Sequence, residues 1–336
     1  MKDHIKILDF LRGFAALAVV LFHYSNSTMP TIKPNYLSDI FAYGKYGVQV
    51  FFVISGFVIP YSMIKSNYKI SNYFNNLLRR FIRINPPSYV AILLTFILYF
   101  SAILIVKRPI GGMDWPGINF TSVIGNMTYS VEYLNTSWFN PVFWTLAIEF
   151  QFYILIGLLL PVIMLRKKML TIVILIAVML IGFINFNWFF SYSTFFVLGI
   201  ILFLKKEKLL PDKIIIISSI IAIVLCFFQK NMPEFIFAVT TFFIILSGIN
   251  INFKITNYLG KISYSLYITH WSIGSMAEIG LKRITHLHEY PMGKILMLLI
   301  YTIIAIAFAA LFYKFIEKPF INYSRILKPN PKKINT

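Results

Sequence analysis

The chain reads as an all-α, polytopic membrane protein, and three observations lead there. Hydrophobic residues make up 58% of it and charged ones only 13%, with a mean hydropathy of +0.75. A chain of 336 residues with 34 phenylalanines carries more apolar side chain than the interior of a soluble domain can take. Apolar runs near the length needed to cross a bilayer recur from one end to the other. In hydrocarbon the backbone must satisfy its own hydrogen bonds, and for runs of this length that means helices.

About ten spans follow, near residues 7–26, 46–64, 87–106, 141–165, 169–185, 188–204, 214–229, 234–250, 258–280 and 294–316. The first lies where a signal peptide would. Asp9 and Arg12 interrupt its core, and no small-residue cleavage site follows, so it reads as a retained helix. The second opens on Gly44-Lys-Tyr-Gly-Val-Gln and carries Ser55-Gly56, small residues that let helices approach closely. A basic stretch from Arg79 to Arg83 precedes the third, and Pro86-Pro87 is expected to mark the turn into it. The segment from Lys107 to Asn140 is too long for a simple connector. With Gly111-Gly112, Trp115-Pro116 and its aromatic residues it reads as a partly ordered lid, an acceptor-binding loop or solvent-side packing. The fifth and sixth spans are joined so tightly that a helical hairpin is expected. In the ninth, Tyr264, Tyr267 and His270 recur every three residues, a polar stripe that either bonds between helices or lines a cavity. Residues 1–320 form the transmembrane domain in this reading. Residues 321–336 form a basic tail whose Lys-Pro-Asn-Pro-Lys-Lys end is expected to be mobile and lipid-associated.

A net charge of +19 would suggest nucleic acid in a soluble protein. Here the cations sort by side instead. With the N-terminus inside, Lys2, Lys6, Lys65, Lys69, Arg79, Arg80, Arg83, Arg166, Lys167, Lys168, Lys205, Lys206, Lys208, Lys213 and the basic tail fall in the cytoplasm. Only Lys33, Lys45, Lys107, Arg108, Lys230, Lys282, Arg283 and Lys294 fall outside. That asymmetry places both termini in the cytoplasm, leaves no call for a nucleic acid partner, and spares a small positive excess for anionic lipid or an anionic cofactor. Cys226, the only cysteine, sits in Ile-Val-Leu-Cys-Phe-Phe and reads as a packing residue. A lone thiol excludes an intrachain disulfide and a thiol-based metal site, and no metal-ligand spacing is present. His4, His286 and His288 carry no clear signal.

Ionisable residues at membrane depth cost free energy, face the interior and mark functional paths. Arg12 and His23 stand eleven positions apart, three turns plus about 20°, on one stripe and roughly 16 Å apart along the axis. Asp9 is one turn from Arg12 and can pair with it. His23 is either a hydrogen-bonded packing residue or a proton acceptor. Glu149 enters from the outer face to a comparable depth and is the expected partner of His23, where it would orient the imidazole. Arg80 and Arg83, spaced i and i+3, can face one ligand, and guanidinium forks match phosphate oxygens. The alternative for that pair is a topological anchor.

Six motifs in order resemble the membrane acyltransferase-3 family over nearly the whole chain. They are Leu8-Asp9-Phe-Leu-Arg12 with His23, Gly47-Val-Gln-Val-Phe-Phe-Val-Ile-Ser-Gly56, Arg80-Phe-Ile-Arg83-Ile-Asn-Pro86, Trp144-Thr-Leu-Ala-Ile-Glu149-Phe-Gln-Phe-Tyr153, Ser263-Tyr-Ser-Leu-Tyr-Ile-Thr-His270 and Glu317-Lys-Pro-Phe320. Asn85, where an aromatic is common in the family, and Pro87-Ser88, which shifts Tyr89, depart from the pattern without touching a proposed catalytic group. The esterase-like domain fused to some relatives is not in the sequence, so a stand-alone membrane module is expected. The resemblance implies transfer of an acyl group, by analogy acetyl, from cytoplasmic acetyl-CoA across the bacterial inner membrane. The acceptor would be a hydroxyl of a carbohydrate or lipid-linked glycan such as an O-antigen (lipopolysaccharide), capsule or exopolysaccharide. His23 would be the general base or a covalent acyl carrier, and Glu149 its partner. Arg12, Arg80 and Arg83 would hold the phosphates of CoA, with Asp9, Ser55, Trp144, Tyr153, Tyr264, Tyr267 and His270 in support and no metal. A transporter or flippase of a lipid-linked sugar also needs buried charge and a polar path. Against it stand the absence of internal repeats and the clustering of arginines at one mouth. A non-catalytic scaffold would leave Arg12, His23 and Glu149 without purpose.

Overall fold

The computed structural model describes residues 5–26, 36–107, 118–184 and 189–327. Among them every regular element is helical. In chain order these are α1 (Lys6–Asn26), α2 (Tyr36–Ala42), α3 (Gly47–Ile64), α4 (Tyr73–Val106), α5 (Phe120–Thr128), α6 (Trp144–Ile163), α7 (Lys168–Ile181), α8 (Phe189–Lys206), α9 (Asp212–Gln229), α10 (Met232–Leu246), α11 (Lys254–Ile284), α12 (Pro291–Phe312) and α13 (Lys318–Ile326). His4, Lys33, Arg108, Gly111-Gly112, Trp115-Pro116, the α7–α8 connection and the Lys-Pro-Asn-Pro-Lys-Lys tail lie outside the described residues.

A helix stands at each expected span, but among the described residues seven helical stretches, fewer than ten, are long and apolar enough to cross a membrane. The three short of that mark have physical reasons. α7 and α10, with 14 and 15 residues, fall below the roughly 20 that a bilayer needs. α11 is long, but it keeps Ser263, Ser265, Thr269, His270, Ser272 and Ser275 buried inside the bundle. The inversion is general. Large apolar side chains such as Phe74, Leu104 and Phe120 face outward at about four-fifths exposure, while Asn85, Ser88, Thr95, His270 and Glu317 are buried. A surface of that kind suits lipid, where polar side chains are held inside the bundle.

α1 and α11 are the central pair, and they run parallel. Gly13 and Gly260 meet at one end, and His23 meets His270 at the other. A Cβ on Gly260 would run into the Asp9 carbonyl, so only glycine lets the two backbones cross there. The second tight crossing joins α3 to α8 at Gly56 and Gly199. Aromatic rings fill the space beside it: Phe196 lies 4.8 Å from Phe52 and 4.4 Å from Phe152 between centroids, each pair contributing about 0.5–1.5 kcal/mol beyond burial.

Pro86 and Pro87 do not mark a turn. α4 runs through both without a break. Carbonyls of this stretch gain other donors: the Tyr264 hydroxyl bonds the Ile84 oxygen at 2.6 Å and Ser88 bonds that of Asn85 at 2.8 Å. The carbonyls that the two prolines leave without a backbone donor are those of Ile82 and Arg83, four residues before each. The hydroxyl bonds lie one turn further on and tie this part of α4 to α11 and to itself. The connection between α4 and α6 is folded where it is described. Asn119 and Ser122 form a capping box on α5. Asn126 ties the helix to Ser137 and Phe139, and Asn140 donates to Ile268 of α11 at 3.0 Å.

Candidate active site

Three arginines on two helices converge at a neck. Arg12 on α1 and Arg80 and Arg83 on α4 line both a wide vestibule of about 1120 Å³ and a narrow inner cavity of about 110 Å³. Glu317 lines both as well. It sits in a π-helical turn, Tyr313–Glu317, that joins α12 to α13, a local distortion common at functional positions. Its Oε2 accepts from Ser265 at 2.6 Å, and the residue is 4% exposed. Asp9 lines the vestibule beside Arg12.

Arg80 is held on two sides. It donates to the Ser62 hydroxyl, and its guanidinium carbon lies 5.1 Å from the ring centre of Tyr153. Tyr153 donates to Glu149 Oε1 at 2.7 Å, and Ser55 donates to the same oxygen at 3.1 Å. The structure therefore corrects the partner expected for Glu149. It belongs with Ser55, Tyr153 and Arg80 in the cavity wall, because one turn of α6 brings Tyr153 alongside it while α3 presents Ser55. Gln49, Phe52, Ser55 and Ser62 each meet a different layer of the bundle, so α3 threads it from Glu234 to Arg80.

His23 has a different neighbour. Its Nδ1 lies 3.0 Å from Nε2 of His270, with ring centres 5.0 Å apart. His270 is completely buried, and its Nδ1 faces the carbonyl oxygens of Tyr267 at 2.8 Å and Leu266 at 3.1 Å. A carbonyl only accepts, so Nδ1 of His270 carries the hydrogen and its Nε2 is the acceptor in the neutral ring. Nδ1 of His23 is then the donor, and Nε2 of His23 bears the lone pair. His270 thus takes the place beside His23 where a carboxylate was expected, and with the backbone hydrogen bond of His23 to Val19 it holds the ring. The Tyr24 hydroxyl secures the pair by donating to the His270 carbonyl at 2.5 Å.

Tyr267 separates the histidines from the cavity. It lines the cavity's end with Phe51 and Thr145, accepts from Thr145 at 2.8 Å, and lies 6.0 Å from His270 between ring centres. Tyr264 lines the cavity one turn below. Trp144 stands apart from the cavity lining, 5.3 Å from Tyr192 between ring centres. The structure therefore gathers Arg12, Arg80, Arg83, Ser55, Glu149, Tyr153, Tyr264 and Tyr267 around one cavity, and pairs His23 with His270 beyond its end. Sequence reasoning named Glu317 only as a landmark and missed Ser62 and Thr145. A lone carboxylate beside the last apolar run was the one available signal for Glu317. Among the described residues no group of three His, Cys, Asp or Glu side chains is placed to hold a metal ion.

Comparison with known proteins agrees with this layout. A family model described as an acyltransferase domain matches residues 5–314. The O-acetyltransferase OatA of Staphylococcus aureus strain NCTC 8325 / PS 47 is 28% identical over 370 aligned positions, covering 93% of this chain and 56% of the relative. The protein of the same name from strain COL matches to the same extent. The chain spans a little over half the length of the curated relatives it matches. No solved structure matches it. With the acyltransferase model covering nearly all of its length and the motifs gathered around one cavity, the chain belongs to the acyltransferase-3 family.

Proposed function

We propose that this chain is a ten-span O-acyltransferase of the bacterial inner membrane, with both termini in the cytoplasm. It would move an acyl group, acetyl first among them, from cytoplasmic acyl-CoA to a hydroxyl of a surface carbohydrate or its lipid-linked precursor. The observation that carries the reading is the cationic vestibule that narrows at Arg12, Arg80 and Arg83 into a cavity pointing toward the His23–His270 pair. The residues fit the donor. Three guanidiniums at a neck suit a diphosphate, and the narrow cavity beyond suits a thin pantetheine arm. The roughly 16 Å between Arg12 and His23 along α1 is the distance such an arm must cover.

The donor supplies an acyl carbon activated by its bond to sulfur. Nε2 of His23 takes the proton of the acceptor hydroxyl while His270 Nε2 holds Nδ1 of the same ring. The acceptor oxygen forms its bond to the acyl carbon, the carbon–sulfur bond breaks, and the proton held by His23 goes to the departing thiolate. The products are the O-acyl ester and the free thiol. Tyr267 and Phe51 must turn aside for the acyl carbon to reach His23. Glu149 acts at the other end, where with Tyr153 it balances the charge of Arg80 and keeps its guanidinium in the cavity wall.

An Arg80→Ala, Arg83→Ala variant tests the donor assignment. KM for acetyl-CoA should rise at least tenfold in detergent-purified protein; an unchanged KM would remove these residues from donor binding. Thioester-dependent transfer to glycan by that preparation also separates this reading from a transporter of lipid-linked sugar.

A further inference from the structure

The vestibule holds more positive charge than a diphosphate needs. Nine lysine and arginine side chains line it, against two carboxylates, Asp9 and Glu317. Three of the nine are the arginines of the neck. Two others have partners within the protein: Lys65 lies 3.5 Å from Glu207, and Arg79 donates to the Ser324 carbonyl at 3.2 Å. Lys6 stands at the start of α1 and also lines a separate pocket with Lys205 and Lys206.

That leaves Lys254, Lys261 and Arg325, and these three form a group. Lys254, Asn257, Tyr258 and Lys261 all line the vestibule and follow the i, i+3, i+4, i+7 spacing of one face of α11. Lys254 and Lys261 are two turns apart, roughly 10 Å. Arg325 approaches from α13. Tyr313 lines the vestibule with them, and Nζ of Lys261 lies 5.4 Å from its ring centre. No carboxylate forms an ion pair with any of the three cations among the described residues. The exposed ring of Tyr258, the half-buried ring of Tyr313 and an amide stand in the same wall, and Oδ1 of Asn257 is a buried acceptor without a donor.

Cations, tyrosine rings and an amide acceptor are the chemistry that recognises a phosphorylated purine nucleoside. We propose that Lys254, Lys261 and Arg325 form a subsite for the 3′-phosphate of the donor's ribose, beside an adenine contact made by Tyr258 and Asn257. The assignment rests on the reading of the donor as an acyl-CoA. It adds that the protein distinguishes CoA from its 3′-dephospho form. The neck arginines take the diphosphate common to both molecules, and the α11–α13 group takes the monoester phosphate that only one of them has.

Equilibrium binding of CoA and of 3′-dephospho-CoA to the detergent-purified full chain tests this without turnover. The wild type should bind CoA at least about tenfold more tightly, as expected for one phosphate held by two or three cations. The Lys254→Ala, Lys261→Ala, Arg325→Ala variant should lose that preference, with CoA weakened to the level of dephospho-CoA. Its affinity for dephospho-CoA should not change, which also shows that the variant is folded. Equal affinities in the wild type, or a preference that survives in the variant, would overturn the subsite while leaving the donor reading intact. Binding of neither molecule to the wild type would overturn the donor reading and the subsite with it.

Discussion

At His23 the chemistry turns on which ring nitrogen holds the proton. The carbonyls of Tyr267 and Leu266 fix the hydrogen of His270 on Nδ1, and His270 Nε2, 3.0 Å from Nδ1 of His23, then accepts from that ring, which also makes a backbone hydrogen bond to Val19. His270 is a positioning residue in this account. His270→Leu should lower kcat by about 10²- to 10⁴-fold, the range of general-base assistance, and leave CoA affinity unchanged. His270→Gln, whose side-chain oxygen can accept from His23, should recover part of the loss. Equal losses in the two variants would reduce His270 to a packing role. His23, Arg12 and the Arg80–Arg83 pair were legible in the sequence because an ionisable residue in an apolar run is conspicuous. The partner of His23 was not. It lies 247 positions away, and only the parallel packing of α1 on α11 brings it close. Glu149 was visible for the same reason as His23, but its partners follow from the rotation of α6 against α3, which no local pattern encodes.

The helices that hold the site depend on close approach more than on apolar area. Association in lipid lacks the hydrophobic drive it has in water, so small residues at crossings matter more. Gly260→Leu should lower thermal stability by about 1–3 kcal/mol or more through overpacking and should separate His270 from His23. A thermal melt alongside CoA release measures both, and a variant with wild-type stability and activity would contradict the crossing. Tyr264→Phe removes the hydroxyl that bonds Ile84 in the proline-bearing stretch. It should cost about 0.6–1 kcal/mol, seen as a small fall in melting temperature. Hydropathy marked the position of every long helix. It could not show that α4 continues through Pro86 and Pro87, because proline breaks most helices and only packing against neighbouring helices lets one run on.

For the whole molecule, the proposed orientation rests on the distribution of charge. The vestibule opens on the face that carries Lys65, Arg79 and Arg325, the side to which the positive-inside pattern assigns the termini. Because Cys226 is the only cysteine, Cys226→Ser gives a background for labelling. A membrane-impermeant maleimide should modify Tyr133→Cys in intact cells and Lys167→Cys only after lysis; the reverse pattern would invert the topology and put the vestibule outside. The sequence made this asymmetry readable through its lysines and arginines. It did not reveal that nine of them surround one cavity, since they come from several separated helices. The account stands or falls on whether a donor entering there reaches His23. Free CoA released from acetyl-CoA by detergent-purified protein, with surface glycan or its lipid-linked precursors supplied, measures that directly. A His23→Ala variant shown to be folded by its melting curve serves as the control. Release by the wild type and none by His23→Ala is the predicted result; equal release by both, or none by either, would contradict it.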